Sequence, residues 1–224
     1  MKYDYLFKVV LVGDTSTGKT HFFNLLSDKN NTYTTSTIGT DLTTLYKDIF
    51  DKTVKVNLWD TAGQERYNSI VQHYFRDITG YILFFNINNV ESFQSLEKWI
   101  KNIHYENKCE HDHPILLIGN KNDLEHKVSQ YDIIELTEKH NLIYIETSLK
   151  YNKINIHDII ELFLDKIYTS FIISNKETVQ EELILCKTIK TPKELNKKIY
   201  LDNKYNLDNN HNINNKSNNI NNCC

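Results

Sequence analysis

The chain has 224 residues, a formal net charge of −3 and 40% hydrophobic residues, which suffices for one sizeable core. A near-neutral balance implies no general affinity for nucleic acid, and no apolar stretch approaches the roughly 18 residues of a membrane span. Met1-Lys2-Tyr3-Asp4 leads straight into an apolar run without a secretory signal pattern, so the protein is expected to start out in the cytosol. Apolar runs and helical stripes then predict strand 5–12, helix 19–27, a loop, strands 42–50 and 53–59, and a loop with a short helix around 66–76. Strand 81–87, helix 91–106, strand 114–119, helix 130–140, strand 142–146 and helix 156–173 follow. Tyr81-Ile82-Leu83-Phe84-Phe85 reads as a strand buried on both faces, and Ile159, Ile160, Phe163, Leu164, Ile167 and Phe171 form the core stripe of the last helix. Strands alternating with helices predict an α/β fold, a mainly parallel six-stranded sheet with helices on both faces.

Gly13-Asp14-Thr15-Ser16-Thr17-Gly18-Lys19-Thr20, directly behind the first strand, matches Gly-x-x-x-x-Gly-Lys-[Ser/Thr] between a strand and a helix. The spacing has a chemical cause. Glycines let backbone N–H groups curl around an anion, Lys19 reaches the β- and γ-phosphates, and the Thr20 hydroxyl is placed to ligate Mg²⁺. The helix that opens here adds its positive dipole end. Thr15, Ser16, Thr17, Gly18, Lys19 and Thr20 are therefore the phosphate-side candidates, with His21 as their neighbour on the first helix. A chance glycine turn is the bland alternative, and the flanking pattern argues against it. The fold this implies is that of the P-loop nucleoside triphosphatases.

Two later segments name the base. Asn120-Lys121-Asn122-Asp123 follows one predicted strand and Glu146-Thr147-Ser148-Leu149-Lys150 ends another. The Asp123 carboxylate can accept from the ring N–H and the exocyclic amine of guanine, a donor pair that adenine lacks there. Such buried polar pairing discriminates by a factor of about 10⁴ or more. The stem of Lys121 would lie along the base, with Ser148, Leu149 and Lys150 closing the other side. The phosphate loop, Asp60, Asn120 and Ser148 all follow strands, so they are expected at the carboxyl edge of the sheet, where open α/β folds bind ligands.

Between these lie Ser36-Thr37-Ile38-Gly39 and Trp59-Asp60-Thr61-Ala62-Gly63-Gln64-Glu65-Arg66-Tyr67. With them the chain resembles the Ras superfamily, and the Rab branch in particular, over about residues 5–174. The resemblance implies a GTPase that binds GTP or GDP with Mg²⁺. Thr20 and Thr37 would ligate the metal, Asp60 would hold it through water, Gly63 N–H would meet the γ-phosphate, and Gln64 would orient the attacking water. It also implies a nucleotide-exchange factor, a GTPase-activating protein, effectors and a prenyl-carrier chaperone as partners, and cycling between the cytosol and the cytosolic face of secretory or endosomal membranes.

Several residues depart from the Rab pattern. Ser16 replaces a usual second glycine and stiffens the loop, Thr40 and Leu42 replace Val and Phe on the effector-facing surface, and Leu149 replaces an alanine and crowds the base pocket. The stretch from Thr20 to Thr37 is one residue shorter than usual, so Tyr33 either shields the phosphates or flanks the base.

The division expected is a nucleotide-binding domain over 1–174 and a tail over 175–224. From Asn203 the tail is dominated by asparagine and cannot bury enough apolar surface to order itself. A flexible tether of about 50 residues would span on the order of 40 Å. Cys223 and Cys224 end the chain. Neighbouring Cα atoms are about 3.8 Å apart, shorter than a usual disulfide span, and a terminal Cys-Cys resembles the double prenylation signal of Rabs. His104, Cys109, His111 and His113 lack the spacing of a zinc module and read as a solvated loop. Trp99 reads as a helix-packing residue and Trp59 as core or partner contact.

These features predict a membrane-anchored guanine-nucleotide switch. Two other classes compete with it. A scaffold that binds nucleotide without cycling is suggested by Ser16, Leu42 and Leu149 and opposed by Lys19, Thr37 and Gln64. A metabolic phosphate-loop kinase would need an arginine-bearing lid or acceptor domain, and none is evident.

Overall fold

A computed structural model describes residues 2–27, 40–61, 77–106, 113–151 and 155–175. In chain order these form β1 (Tyr5–Gly13), α1 (Lys19–Leu26), β2 (Thr40–Ile49), β3 (Lys52–Thr61), β4 (Gly80–Asn86), α2 (Val90–Gln94), α3 (Leu96–Glu106), β5 (Ile115–Asn120), α4 (Gln130–Lys139), β6 (Ile143–Thr147) and α5 (Ile156–Asn175). The six strands make one sheet in the order β2-β3-β1-β4-β5-β6. Only the β2–β3 pair is antiparallel; β1 lies parallel between β3 and β4. The architecture is the mainly parallel, doubly covered α/β sheet that the sequence predicts.

Side-chain alternation explains the two layers. Phe7, Val9 and Leu11 of β1, Ile82 and Phe84 of β4, and Leu116 and Ile118 of β5 share one face, packed against Phe22, Phe23 and Leu26 of α1 and Ile160, Phe163, Leu164 and Ile167 of α5. Val10, Val12, Tyr81, Leu83, Phe85, Ile115 and Leu117 take the other face, against Leu96, Ile100 and Ile103 of α3 and Ile133 and Leu136 of α4. A period of two along strands meets a period of 3.6 along helices. Full burial of each large apolar side chain contributes about 1.5–3 kcal/mol.

The element boundaries shift for local reasons. The predicted strand 42–50 runs 40–49 instead, because its partner continues to Thr61 and Thr40 pairs with it. Phe50 leaves the strand and forms, with Asp51, a two-residue turn after the last pair Ile49↔Lys52. Both central residues have positive φ, 47° and 61°, the geometry of a type I′ hairpin that ordinarily favours Asn-Gly. The Phe50 ring centroid lies 5.7 Å from that of Tyr168 on α5, a packing gain that offsets the backbone cost. The helix predicted over 91–106 divides at Ser95, whose hydroxyl donates to the Glu91 carbonyl at 3.0 Å and competes with the helical ladder. Upstream, Asn89 caps α2 by accepting from Ser92 N–H at 3.0 Å.

Candidate functional site

Three loops meet at the carboxyl edge of the sheet, following β1, β5 and β6. The first, residues 13–18, wraps tightly. Gly13 has φ 131° and Gly18 φ 113°. A Cβ on Gly18 would stand 2.1 Å from Asn120 Nδ2, so no other residue fits beside the second loop. Ser16 holds φ 63°, the left-handed region. Replacement of a glycine by serine has therefore left the loop's backbone path left-handed, at a cost of roughly 1–2 kcal/mol. The Thr17 hydroxyl donates to the Asp14 carbonyl at 2.8 Å and tightens the turn.

Lys19, the first residue of α1, is only 5% exposed. Its ammonium donates to the carbonyls of Gly13 (2.8 Å) and Asp14 (2.7 Å). An ammonium has three donors, so one remains to meet an anion in the loop. Burial pushes the Lys19 pKa down from 10.5 to about 8, opposed by the charges of Asp60 and Asp14. Asp60 itself is fully buried near the end of β3, opposite Leu11 of β1. Its neighbour Thr61 donates to the Leu11 carbonyl at 2.7 Å and locks the two strand ends together. Thr20 and His21 follow on the first turn of α1, both partly buried, and desolvation lowers the His21 pKa.

The second loop opens at Asn120, the last residue of β5 and 3% exposed. Asn120 Nδ2 donates to the Thr17 carbonyl at 2.8 Å, and Asn120 Oδ1 accepts from Leu149 N–H at 3.2 Å. One side chain thereby ties all three loops together. Lys121 has φ 68°, a left-handed step that turns the chain. Asn122 N–H then reaches the Thr147 carbonyl at 3.2 Å, and the Ser148 hydroxyl donates to Asp123 Oδ1 at 2.5 Å.

Leu149 departs from expectation. Its side chain is 3% exposed and belongs to the core cluster shared with α1 and α5. The side chain packs against the phosphate-side loop, its Cδ1 3.4 Å from where a Gly18 Cβ would stand. Lys150 is exposed, its ammonium 4.9 Å from the centroid of the Tyr151 ring. Trp99 departs too. It packs against the second core cluster, as a helix-packing residue should, but its indole N–H also donates to Asp14 Oδ1 at 2.8 Å. No sequence signal joins residues 85 positions apart; the only hint was a loop carboxylate in a chain with two tryptophans. Thr37, Gly63, Gln64, Cys223 and Cys224 lie outside the described residues.

The arrangement offers an anion-sized loop with a buried cation at its mouth, and beside it a carboxylate oriented by a hydroxyl. Comparison with known proteins agrees with this chemistry. The sequence profile of the Ras family matches residues 8–169. The chain is 42% identical over 154 residues to the Ras-related protein Rab-11B of Dictyostelium discoideum, covering 66% of this chain and 68% of that protein. It is 39% identical over 150 residues to Rab-11A of the same organism, covering 66% and 69% respectively. With the Ras-related protein RABA2a of Arabidopsis thaliana it shares 36% identity over 195 residues, 84% of this chain and 86% of that one. The match to the Ras profile over most of the chain, together with the relatedness to Rab proteins, establishes that the chain belongs to the Ras family and is a Rab-type small GTPase.

Proposed function

We propose that this GTPase is a membrane-anchored switch that regulates vesicle traffic, recruiting effectors in its GTP state. The observation that carries the reading is the junction at Asn120, which ties the Lys19 loop to the Asp123–Ser148 pair and so couples phosphate to guanine recognition. In this reading the backbone of residues 15–20 cradles the phosphates, Lys19 supplies the cation, and Asp123 with Ser148, Leu149 and Lys150 holds the base. Thr37 and Gly63 contact the γ-phosphate, so the order of residues 33–42 and 60–76 changes on hydrolysis. Gln64 orients the attacking water. The intrinsic rate is slow, and an activating protein that supplies an arginine in trans adds roughly 10³–10⁵.

The donor set also fits Mg²⁺, a hard cation that takes oxygen ligands. Thr20 lies in the first turn of α1 and the buried Asp60 carboxylate near the carboxyl end of β3, with Thr37 as the third candidate. When bound, the ion would neutralise charge on the phosphate oxygens.

Residues 1–174 form the nucleotide-binding domain and 175–224 the tether, prenylated at Cys223 and Cys224. Two lipid chains give stable anchoring where one gives only marginal binding. Among the described residues no helix is long and apolar enough to cross a membrane. An exchange factor, an activating protein, effectors and a prenyl-carrier chaperone are the partners of such a cycle, on secretory or endosomal membranes. Membrane fractionation of the tagged chain with and without Cys223→Ser and Cys224→Ser tests this. The double variant should become cytosolic with unchanged GTP affinity; persistent membrane association would place the anchor elsewhere.

A further inference from the structure

Three hydrogen bonds meet at Asp14. Its main-chain oxygen accepts from the Lys19 ammonium at 2.7 Å and from the Thr17 hydroxyl at 2.8 Å. Its side-chain Oδ1 accepts from the Trp99 indole N–H at 2.8 Å. The first two bonds lie within the loop, whereas the third reaches in from α3, which is anchored by Leu96 and Ile100 at 0% exposure. A rigid ring packed on the core thus presents one fixed donor to a loop carboxylate. Such charge-assisted bonds are roughly twice as strong as neutral ones.

The loop has reason to need this support. Ser16 is held at φ 63°, and backbone strain of this kind persists only where the surroundings over-determine it. The residues around Ser16 are clamped from two sides: Asp14 by Trp99, and the Thr17 carbonyl by Asn120. Asn120 belongs to the base pocket, and Trp99 comes from a helix that contributes none of the assigned nucleotide contacts. We propose that Trp99 is a positioning residue that slows nucleotide release, its indole N–H holding Asp14 so that the strained loop and the Lys19 ammonium stay in their phosphate-ready arrangement. The inference rests on the assignment of residues 13–20 to the phosphates.

The experiment uses the full chain. Trp99→Phe keeps an aromatic ring in the core but removes the donor; Asp14→Ala removes the acceptor from a partly exposed loop position; Asp14→Asn keeps a neutral acceptor. The dissociation rate of a fluorescent GDP is measured for each variant and for the Trp99→Phe/Asp14→Ala pair. The indole N–H resonances of the parent and Asp14 variants are recorded alongside. Each single loss should speed release about tenfold or more, as expected for one hydrogen bond to a charged group. The double variant should be no faster than the faster single one, because both remove the same interaction. Asp14→Asn should fall between parent and Asp14→Ala, and the Trp99 indole resonance should move upfield in Asp14→Ala. Release within twofold of the parent in both single variants, or multiplicative rates in the double, would overturn the proposal. If Trp99→Phe fails to fold, the graded series at Asp14 decides alone. Failure of the parent to retain GDP would instead overturn the phosphate-site assignment, and this inference with it.

Discussion

The Ser148 hydroxyl and the Asp123 carboxylate, 25 residues apart, meet at 2.5 Å. The bond commits one carboxylate oxygen and fixes the plane in which the other oxygen faces a ligand. Asp123→Asn should therefore lower GTP affinity by more than about tenfold while gaining xanthine nucleotide, because an amide N–H then faces a position where guanine offers donors and xanthine an acceptor. Ser148→Ala should weaken binding by about tenfold without changing the preferred base, since only orientation is lost. Competition binding with GTP, ATP and xanthosine triphosphate separates the two outcomes; retained guanine preference in Asp123→Asn would remove Asp123 from the pocket.

Lys19 gives nucleotide binding a pH dependence whose sign follows from its pKa of about 8, depressed from 10.5. The group is depressed by burial, so the nucleotide-free fold gains relative stability as pH rises through about 8 toward 10.5, where the unfolded chain still holds the proton. A bound polyphosphate favours the charged form. Binding should take up a proton at pH 8.5–9, to about half of one or more, and affinity should fall across that range. Calorimetric titration of GDP in buffers of different ionisation enthalpy measures the uptake. Lys19→Arg carries a permanent charge and should lose this component, with the titration of the guanine ring common to both proteins.

Gly18 and Ser16 should respond in opposite directions. Gly18→Ala places a methyl group 2.1 Å from Asn120 Nδ2 at φ 113°, so it should break the Asn120–Thr17 bond and abolish stable nucleotide binding. Ser16→Gly relieves a left-handed serine, a gain of about 1–2 kcal/mol reduced by up to about 1 kcal/mol of added unfolded-state entropy. It should leave the denaturation midpoint unchanged or slightly higher. Ser16→Val, β-branched at positive φ, should lower the midpoint through a loss of about 2 kcal/mol of stability. Guanidinium unfolding of GDP-loaded protein checks the two Ser16 variants, and retention of GDP through gel filtration checks Gly18→Ala.

Gln64→Leu should keep GTP affinity within about threefold of the parent and reduce single-turnover hydrolysis by at least about tenfold, because the amide acts on water rather than on ground-state binding. Phosphate release in one turnover, with and without an activating protein, is the measurement. Unchanged stimulated turnover would assign water positioning to another residue.

The succession of elements, the mainly parallel sheet and the meeting of three loops were legible because their signals are local. Glycines at fixed spacing behind an apolar run and polar motifs at strand ends can be read without knowing what they touch. The rest depended on tertiary partners. Phe50 has strand propensity, yet it turns at φ 47° and packs on Tyr168. Leu149 reads as an obstruction in the pocket until the core beneath the loop is seen to accommodate it. Ser16 is marked only by standing where a glycine is usual, which does not decide whether its backbone is left-handed, and the helix stripe that buries Leu96 and Ile100 says nothing of where the indole N–H of Trp99 ends. The division at Ser95 is the exception, since a serine able to bond back by four residues is visible in the sequence.

The Phe50-Asp51 turn has two residues and therefore no slack. A slip of one position would put the faces of the two ten-residue strands out of step, turning the core-facing set of one of them to the opposite face. At the far end of the ribbon Thr40 pairs with Thr61. The segments 28–39 and 62–76 thus leave from a single rung whose register is set about 30 Å away by an aromatic hairpin tip, taking roughly 3.3 Å per residue. Thr40 and Thr61 share one mechanical ground, so a pull on either strand end is borne by the same ladder, with the hairpin tip as its brace.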